Sequence, residues 1–285
     1  MDIKTLGVVG CGLMGSGIAE IFARAGTPVV VNEVDTAAAA GGRSRIETSL
    51  RRAVSSGRIS GDDAERARER ISIDVDLEAL AGADLVIEAA SEDEDVKVEL
   101  FRRLDRVVTN RSAILASNTS SVPIMKLGTV TSRPAQVIGM HFFNPVPVLP
   151  LVEIVSSLLT SRETVDRVQQ VAHDLGKTVI HAQDRAGFIV NALLVPYLLS
   201  AIRMVESGFA SAADVDAGMV SGCAHPMGPL HLADLIGNDT VAAIAASLYA
   251  EFKEPLLAPP PRLLRMVDAG LLGRKSGRGF FDYGG

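Results

Sequence analysis

A glycine fingerprint, Gly10-Cys-Gly-Leu-Met-Gly15, stands between a short β-rich run, Gly7–Val9, and a helical stretch that opens at Met14. No other feature of the chain restricts its fold so tightly. Glycine at the first and third positions allows a sharp turn and close approach of the backbone to a ligand; at the sixth it lets the helix pack tightly on the strand. The spacing therefore predicts the phosphate turn of a doubly wound α/β sheet, with the positive end of a helix beside the ligand's negative charge. Gly10, Gly12, Leu13, Met14 and Gly15 are the expected dinucleotide contacts. The next β-rich run, Val29-Val-Val-Asn-Glu33, puts Glu33 where the ribose hydroxyls of such a ligand lie. A carboxylate there repels a 2′-phosphate, and no arginine follows it immediately, so NAD is expected rather than NADP.

The rest of the first half repeats the alternation. Strand-like runs at Ile71–Asp74, Leu85–Glu88, Ile114–Ser117, Val137–His141, Leu151–Val155 and Thr178–His181 are separated by amphipathic stretches such as Thr36–Ser56, Glu94–Val108 and Arg162–Leu175. This is the pattern of a parallel sheet with crossover helices. Past Asp184 the strands nearly vanish, and helical runs punctuated by glycine and proline take over. The expected architecture is a Rossmann-like dinucleotide-binding domain over residues 1–183, followed by a smaller all-α domain over 184–285 for substrate and dimer contacts. Ile189–Ser207, apolar on most faces, is expected to be a buried helix.

A second constellation carries chemistry. His141 lies in Gly139-Met-His-Phe-Phe-Asn-Pro-Val-Pro147, and Glu153 interrupts the apolar run Leu151-Val-Glu-Ile-Val155. A carboxylate inside an apolar strand is costly to ionise without a partner, and the imidazole one strand upstream is a plausible one. Such a pair makes a general base when the carboxylate fixes the tautomer and stabilises the imidazolium. The residues alone leave a second reading open, a satisfied core histidine beside an edge-strand glutamate.

Composition narrows the class. A formal charge of −6 argues against a general nucleic-acid or anionic-membrane binder. The two cysteines, Cys11 and Cys223, form neither a disulfide framework nor a zinc spacing, which suits a reducing cytoplasm. No metal, membrane or nucleic-acid partner is expected.

Several motifs in order, Gly10–Gly15, Ala116-Ser-Asn-Thr-Ser-Ser121, His141-Phe-Phe-Asn-Pro-Val-Pro147, Leu151-Val-Glu153, Gly187-Phe-Ile-Val-Asn191, His225-Pro-Met-Gly-Pro229 and Gly273-Arg-Lys-Ser-Gly-Arg-Gly-Phe280, resemble the L-3-hydroxyacyl-CoA dehydrogenase family, including its short bacterial 3-hydroxybutyryl-CoA members. The resemblance covers essentially the whole chain. It implies NAD-linked interconversion of a 3-hydroxyacyl and a 3-oxoacyl thioester in a cytoplasmic homodimer. By position it implies that His141 is the base, Glu153 its orienting acid, and Ser120 and Asn191 substrate-oxygen ligands. Glu33, Glu92, Lys97, Asn144 and Lys275 fall on cofactor contacts, and Ser49 on a CoA contact. Read without the resemblance, Ser120 is a cap, Asn191 is as readily a structural amide, and Lys275 is a surface lysine. One departure stands out: Ser56 occupies a place where the family often has a phosphate-binding lysine. Arg52 or Arg58 can replace that charge, or the acyl group is carried by an acyl-carrier protein.

Overall fold

A computed structural model describes residues 3–284 and divides the chain into two compact units, Met1–Arg185 and Ala186–Gly285. The first unit is built on eight strands: β1 (Leu6–Val9), β2 (Val29–Asn32), β3 (Ile71–Asp74), β4 (Leu85–Glu88), β5 (Ile114–Ser117), β6 (Val137–Phe142), β7 (Leu151–Ser156) and β8 (Thr178–Gln183). Its helices are α1 (Leu13–Arg24), α2 (Thr36–Ser55), α3 (Gly61–Glu69), α4 (Glu94–Val107), α5 (Ile124–Thr129) and α6 (Arg162–Asp174). The strands form one sheet in the order β3-β2-β1-β4-β5-β6-β7-β8. Every residue of β1, β4 and β5 is buried, as expected when helices cover both faces of a parallel sheet and its strands read as unbroken apolar runs.

Two departures from the expected pattern have physical causes. The sheet is parallel from β3 through β6, but β7 runs antiparallel to β6 before β8 resumes parallel to β7. Only the short stretch 143–150 joins β6 to β7, too little for the dozen or more residues of a crossover. The charged run Gly61–Glu69 forms a helix that the hydrophobic pattern does not announce. Its start is fixed by a capping box, in which the Ser60 hydroxyl accepts from the Asp63 amide and the Asp63 carboxylate accepts from the Ser60 amide.

The second unit is helical: α7 (Val190–Glu206), α8 (Ala212–Cys223), α9 (Pro229–Ile236), α10 (Asn238–Phe252) and α11 (Pro261–Asp268). Leu198, Leu199, Ile202, Leu230, Val241 and Leu248 form the centre of its core. Against expectation, α7 is not buried on all sides, since Leu193 is 73% exposed. The carboxyl-terminal segment is latched to α9 by Asp234, which accepts from the Phe280 and Phe281 amides and the Tyr283 hydroxyl at 3.0–3.1 Å. Among the described residues no helix is long and apolar enough to cross a membrane.

Candidate active site

The antiparallel β6–β7 register sets His141 directly opposite Glu153. Opposed residues project on the same face of a sheet, so strand pairing alone brings the two side chains together. His141 Nδ1 lies 2.7 Å from Glu153 Oε2, with the imidazole 7% exposed and the glutamate fully buried. Phe143 meets the imidazole edge to face at 4.6 Å between centroids. Because β8 flanks β7, Glu153 is an interior residue of the sheet rather than an edge-strand glutamate.

The loop after β5 carries Ser120. Asn118 Oδ1 accepts from the Phe142 amide at 3.0 Å, which ties this loop to the strand bearing His141. Glu92, just past β4, gathers the loop onto one oxygen. Its Oε1 accepts from Thr119 Oγ1 at 2.6 Å, the Ser120 amide at 2.7 Å, Ser121 Oγ at 2.8 Å, the Ser121 amide at 3.0 Å and Ser120 Oγ at 3.1 Å. Burial opposes ionisation of Glu92, but the Lys97 ammonium and the donors from Thr119, Ser121 and Ser120 outweigh it and hold the carboxyl below the usual range.

Lys97 is 1% exposed, and its Nζ lies 2.5 Å from Glu88 Oε1 and 3.2 Å from Glu92 Oε2. The structure therefore brings Ser120, Glu92 and Lys97 into one network, and adds Glu88 and Ser117, which the sequence reading passed over. Their signal is faint: one acid and one serine closing two apolar strands. Lys177 was also missed. It donates to the carbonyls of Val146 at 2.6 Å and Leu149 at 2.7 Å, pinning the β6–β7 connection that carries the exposed Asn144. Burial, with Arg24 nearby, pushes the Lys177 ammonium below the usual lysine range.

After β1, the strand paired with β4, the glycine turn is built for close approach. Gly10 has φ +87°, and a Cβ on Gly15 would collide with the Gly10 carbonyl, so both positions require glycine. A Cβ on Gly12 would meet nothing within 4 Å, leaving open backbone at the start of α1, where Leu13 is 64% exposed and Met14 half-buried. The Glu33 carboxylate accepts from the Cys11 and Val34 amides. Arg45, from α2, donates to the Cys11 carbonyl at 3.2 Å, an arginine near the turn that sequence spacing did not place. Burial pushes the Cys11 thiol up to about 12; Glu33 adds to this, while Arg45 and Arg43 oppose it. An open glycine cradle with a carboxylate at the end of β2 fits a dinucleotide.

Ser49 is half-buried and Arg52 exposed on α2. A groove of about 540 Å³ opens between α2 and α3, but neither residue lines it. Arg58 Nε donates to Ser56 Oγ at 2.9 Å on the exposed end of this segment. In the second unit, Asn191 is buried in the first turn of α7, and Lys275 is paired with Asp239 at 2.6 Å.

Residues 5–185 match the model of the 3-hydroxyacyl-CoA dehydrogenase NAD-binding domain, and residues 187–283 that of the 3-hydroxyacyl-CoA dehydrogenase C-terminal domain. A 3-hydroxybutyryl-CoA dehydrogenase of Mycobacterium tuberculosis is 57% identical over 282 residues, covering 99% of both chains. The crystal structure of M. tuberculosis FadB2 is similar with a TM-score of 0.97 at 57% identity, covering 99% of each chain. That of (S)-3-hydroxybutyryl-CoA dehydrogenase from Ralstonia eutropha gives 0.93 at 43% identity, with full coverage of both.

Proposed function

Because the chain belongs to the 3-hydroxyacyl-CoA dehydrogenase family, we propose that it reversibly transfers a hydride between NAD and an (S)-3-hydroxyacyl-CoA, with the short 3-hydroxybutyryl and acetoacetyl thioesters as its substrates. The observation that carries the reading is the buried His141–Glu153 pair, set by strand register at 2.7 Å. An oriented base has no use in a protein that merely binds a dinucleotide.

In the oxidative direction His141 Nε2 removes the C3 hydroxyl proton while the C3–H bond gives up its electron pair as hydride, leaving a C3 carbonyl. NAD, when bound, supplies the hydride acceptor and, reduced, the donor. Glu153 holds the Nδ1–H tautomer and stabilises the imidazolium; in reduction that imidazolium returns the proton. Ser120 holds the substrate oxygen, and Asn191 is assigned the same task on its motif position. Gly10, Gly12, Leu13, Met14 and Gly15 receive the diphosphate and Glu33 the ribose. Glu92, Lys97, Asn144 and Lys275 are assigned to the cofactor by position, with Glu92 and Lys97 acting from within their ion-paired network.

Ser49 and Arg52 are assigned to CoA. A carrier-protein-linked acyl group is the second reading, favoured by serine at position 56, but Arg58 on the Ser56 hydroxyl restores the cation there and favours free CoA. The chain is further proposed to act as a cytoplasmic homodimer in fatty-acid metabolism, with a dimer mass in light scattering as the check on assembly.

The test is oxidation of NADH followed by absorbance with acetoacetyl-CoA, with free acetoacetate, the acyl-carrier-protein ester and NADPH in parallel. Turnover with NADH and the CoA thioester above all others is expected. Preference for the carrier-protein ester or the free acid would overturn the substrate assignment.

A further inference from the structure

Two arms run from the buried carboxylate of Glu88 to the loop that bears Ser120. Glu88 is the last residue of β4 and fully buried. Through Oε2 it accepts from Ser117 Oγ at 2.5 Å, and Ser117 Oγ in turn accepts from the Thr119 amide at 3.2 Å. Through Oε1 it takes the Lys97 ammonium at 2.5 Å, and the same ammonium reaches Glu92 Oε2 at 3.2 Å. Glu92 then collects both the amide and the hydroxyl of Ser120 and of Ser121. The Ala90 amide, donating to Glu88 Oε1 at 2.7 Å, also ties the start of the Glu92 loop to this carboxylate.

The other duty of such a residue, matching a buried lysine, would need only the Lys97 contact. Replacing that carboxylate on its own would leave the buried lysine with the longer 3.2 Å contact to Glu92 as its counter-charge. The contact to Ser117 adds something different, because it fixes the beginning of the Ser120 loop while the Lys97–Glu92 arm fixes its middle. Both arms end on backbone amides, so they set where the chain runs as well as where its hydroxyls point.

We propose that Glu88 is a positioning residue of the reaction: from beneath the site it holds the Ser120 hydroxyl at its working place through the Ser117 arm and the Lys97–Glu92 arm. The inference deepens the proposed dehydrogenase function and rests on it. A misplacement of about 1 Å in a group that holds the reacting oxygen can cost about a hundredfold in rate.

The test compares Glu88→Gln with wild type by hydrogen exchange and by kinetics. Glutamine keeps the size and an acceptor for Ser117 or Ala90, but loses the charge facing Lys97. Exchange at the amides of Thr119, Ser120 and Ser121 is expected to speed by about tenfold, with β7 amides unchanged. At saturating acetoacetyl-CoA and NADH, kcat is expected to fall about ten- to a hundredfold. Added to Ser120→Ala, Glu88→Gln should cost little more, because both act through one hydroxyl.

Unchanged exchange in the loop would overturn the proposal, as would a kinetic loss that adds in full to that of Ser120→Ala. Should Glu88→Gln fail to fold, Ser117→Ala severs the shorter arm alone. Faster exchange at Thr119 with lower kcat is expected of it, and wild-type exchange there would refute the arm. Absence of turnover in the wild type would sink the dehydrogenase reading, whereas the exchange measurement still decides the role of Glu88.

Discussion

The two units each hold a histidine against a carboxylate at nearly the same distance: His141 Nδ1 to Glu153 Oε2 at 2.7 Å in the first, His231 Nδ1 to Asp216 Oδ2 at 2.6 Å in the second. Distance does not separate them; the surroundings do. Asp216 already accepts from the Leu230 amide at 2.8 Å and the His231 amide at 2.9 Å, so its carboxylate caps the first turn of α9. His231 is stacked on Phe281 at 3.6 Å, and its side chain is 39% exposed. That imidazole closes a joint between α9 and the carboxyl-terminal segment. His141, by contrast, is paired across two interior strands, on the strand that Asn118 ties to the Ser120 loop. A His–carboxylate contact whose carboxylate is spent on backbone amides is thus a fastener, whereas the interior strand pair supports the base proposed for the first unit.

The largest expected effect is on the histidines themselves. His141→Gln should lower turnover about a hundred- to ten-thousand-fold with NADH binding retained, the usual worth of general base catalysis. His231→Gln should leave turnover at the wild-type rate and lower the melting temperature. Steady-state kinetics beside calorimetry on both variants checks the contrast; equal kinetic losses would erase it.

The carboxylates sharpen it. Glu153→Gln should cut kcat by about ten- to a hundredfold, because the imidazolium loses its counter-charge. Asp216→Asn should instead remove about 1–3 kcal/mol of stability through its weakened cap, measured by denaturant unfolding, without a change in kcat.

A smaller effect lies along the pH axis. In the first unit Glu92 is held below its usual range despite burial, so its contribution is fully present above the ordinary carboxylate pKa and is lost as pH falls through the depressed folded value. In the second unit burial, the Asp234 charge and the hydrogen bond to Asp234 push Tyr283 up to about 12. Its contribution is fully present below the unfolded value near 10 and is lost as pH rises towards 12. Acid unfolding of Glu92→Gln should begin from a less stable protein with a shallower acid limb. A spectrophotometric titration should find two of the three tyrosines ionising late, Tyr283 and Tyr197, the latter raised by burial with Asp216 and Cys223 nearby.

Much of this was legible in residues. The glycine turn, the acid closing β2 and the apolar runs of β1, β4 and β5 follow from backbone geometry and burial, which leave a local mark. The twelve-residue interval from His141 to Glu153 contains a connection too short for a crossover, so the antiparallel register was within reach of the sequence, although the parallel expectation passed it over. Glu88, Ser117 and Lys177 were not legible. Their partners lie 9, 29 and 28–31 positions away and are chosen by strand order and loop path, which no local pattern encodes. The helix Ile124–Thr129 is too short for a period to develop, and its first amides are taken by Asp184 at 2.7–2.8 Å, far along the chain.

The most direct test of the central claim, that the pair spanning β6 and β7 is the base of a hydroxyacyl thioester dehydrogenase, is a single-turnover measurement of NADH oxidation by acetoacetyl-CoA in wild type and His141→Gln at matched NADH occupancy. Rapid oxidation in the wild type and a rate at least about a hundredfold lower in the variant is the expected result. Equal rates in the two proteins would contradict it.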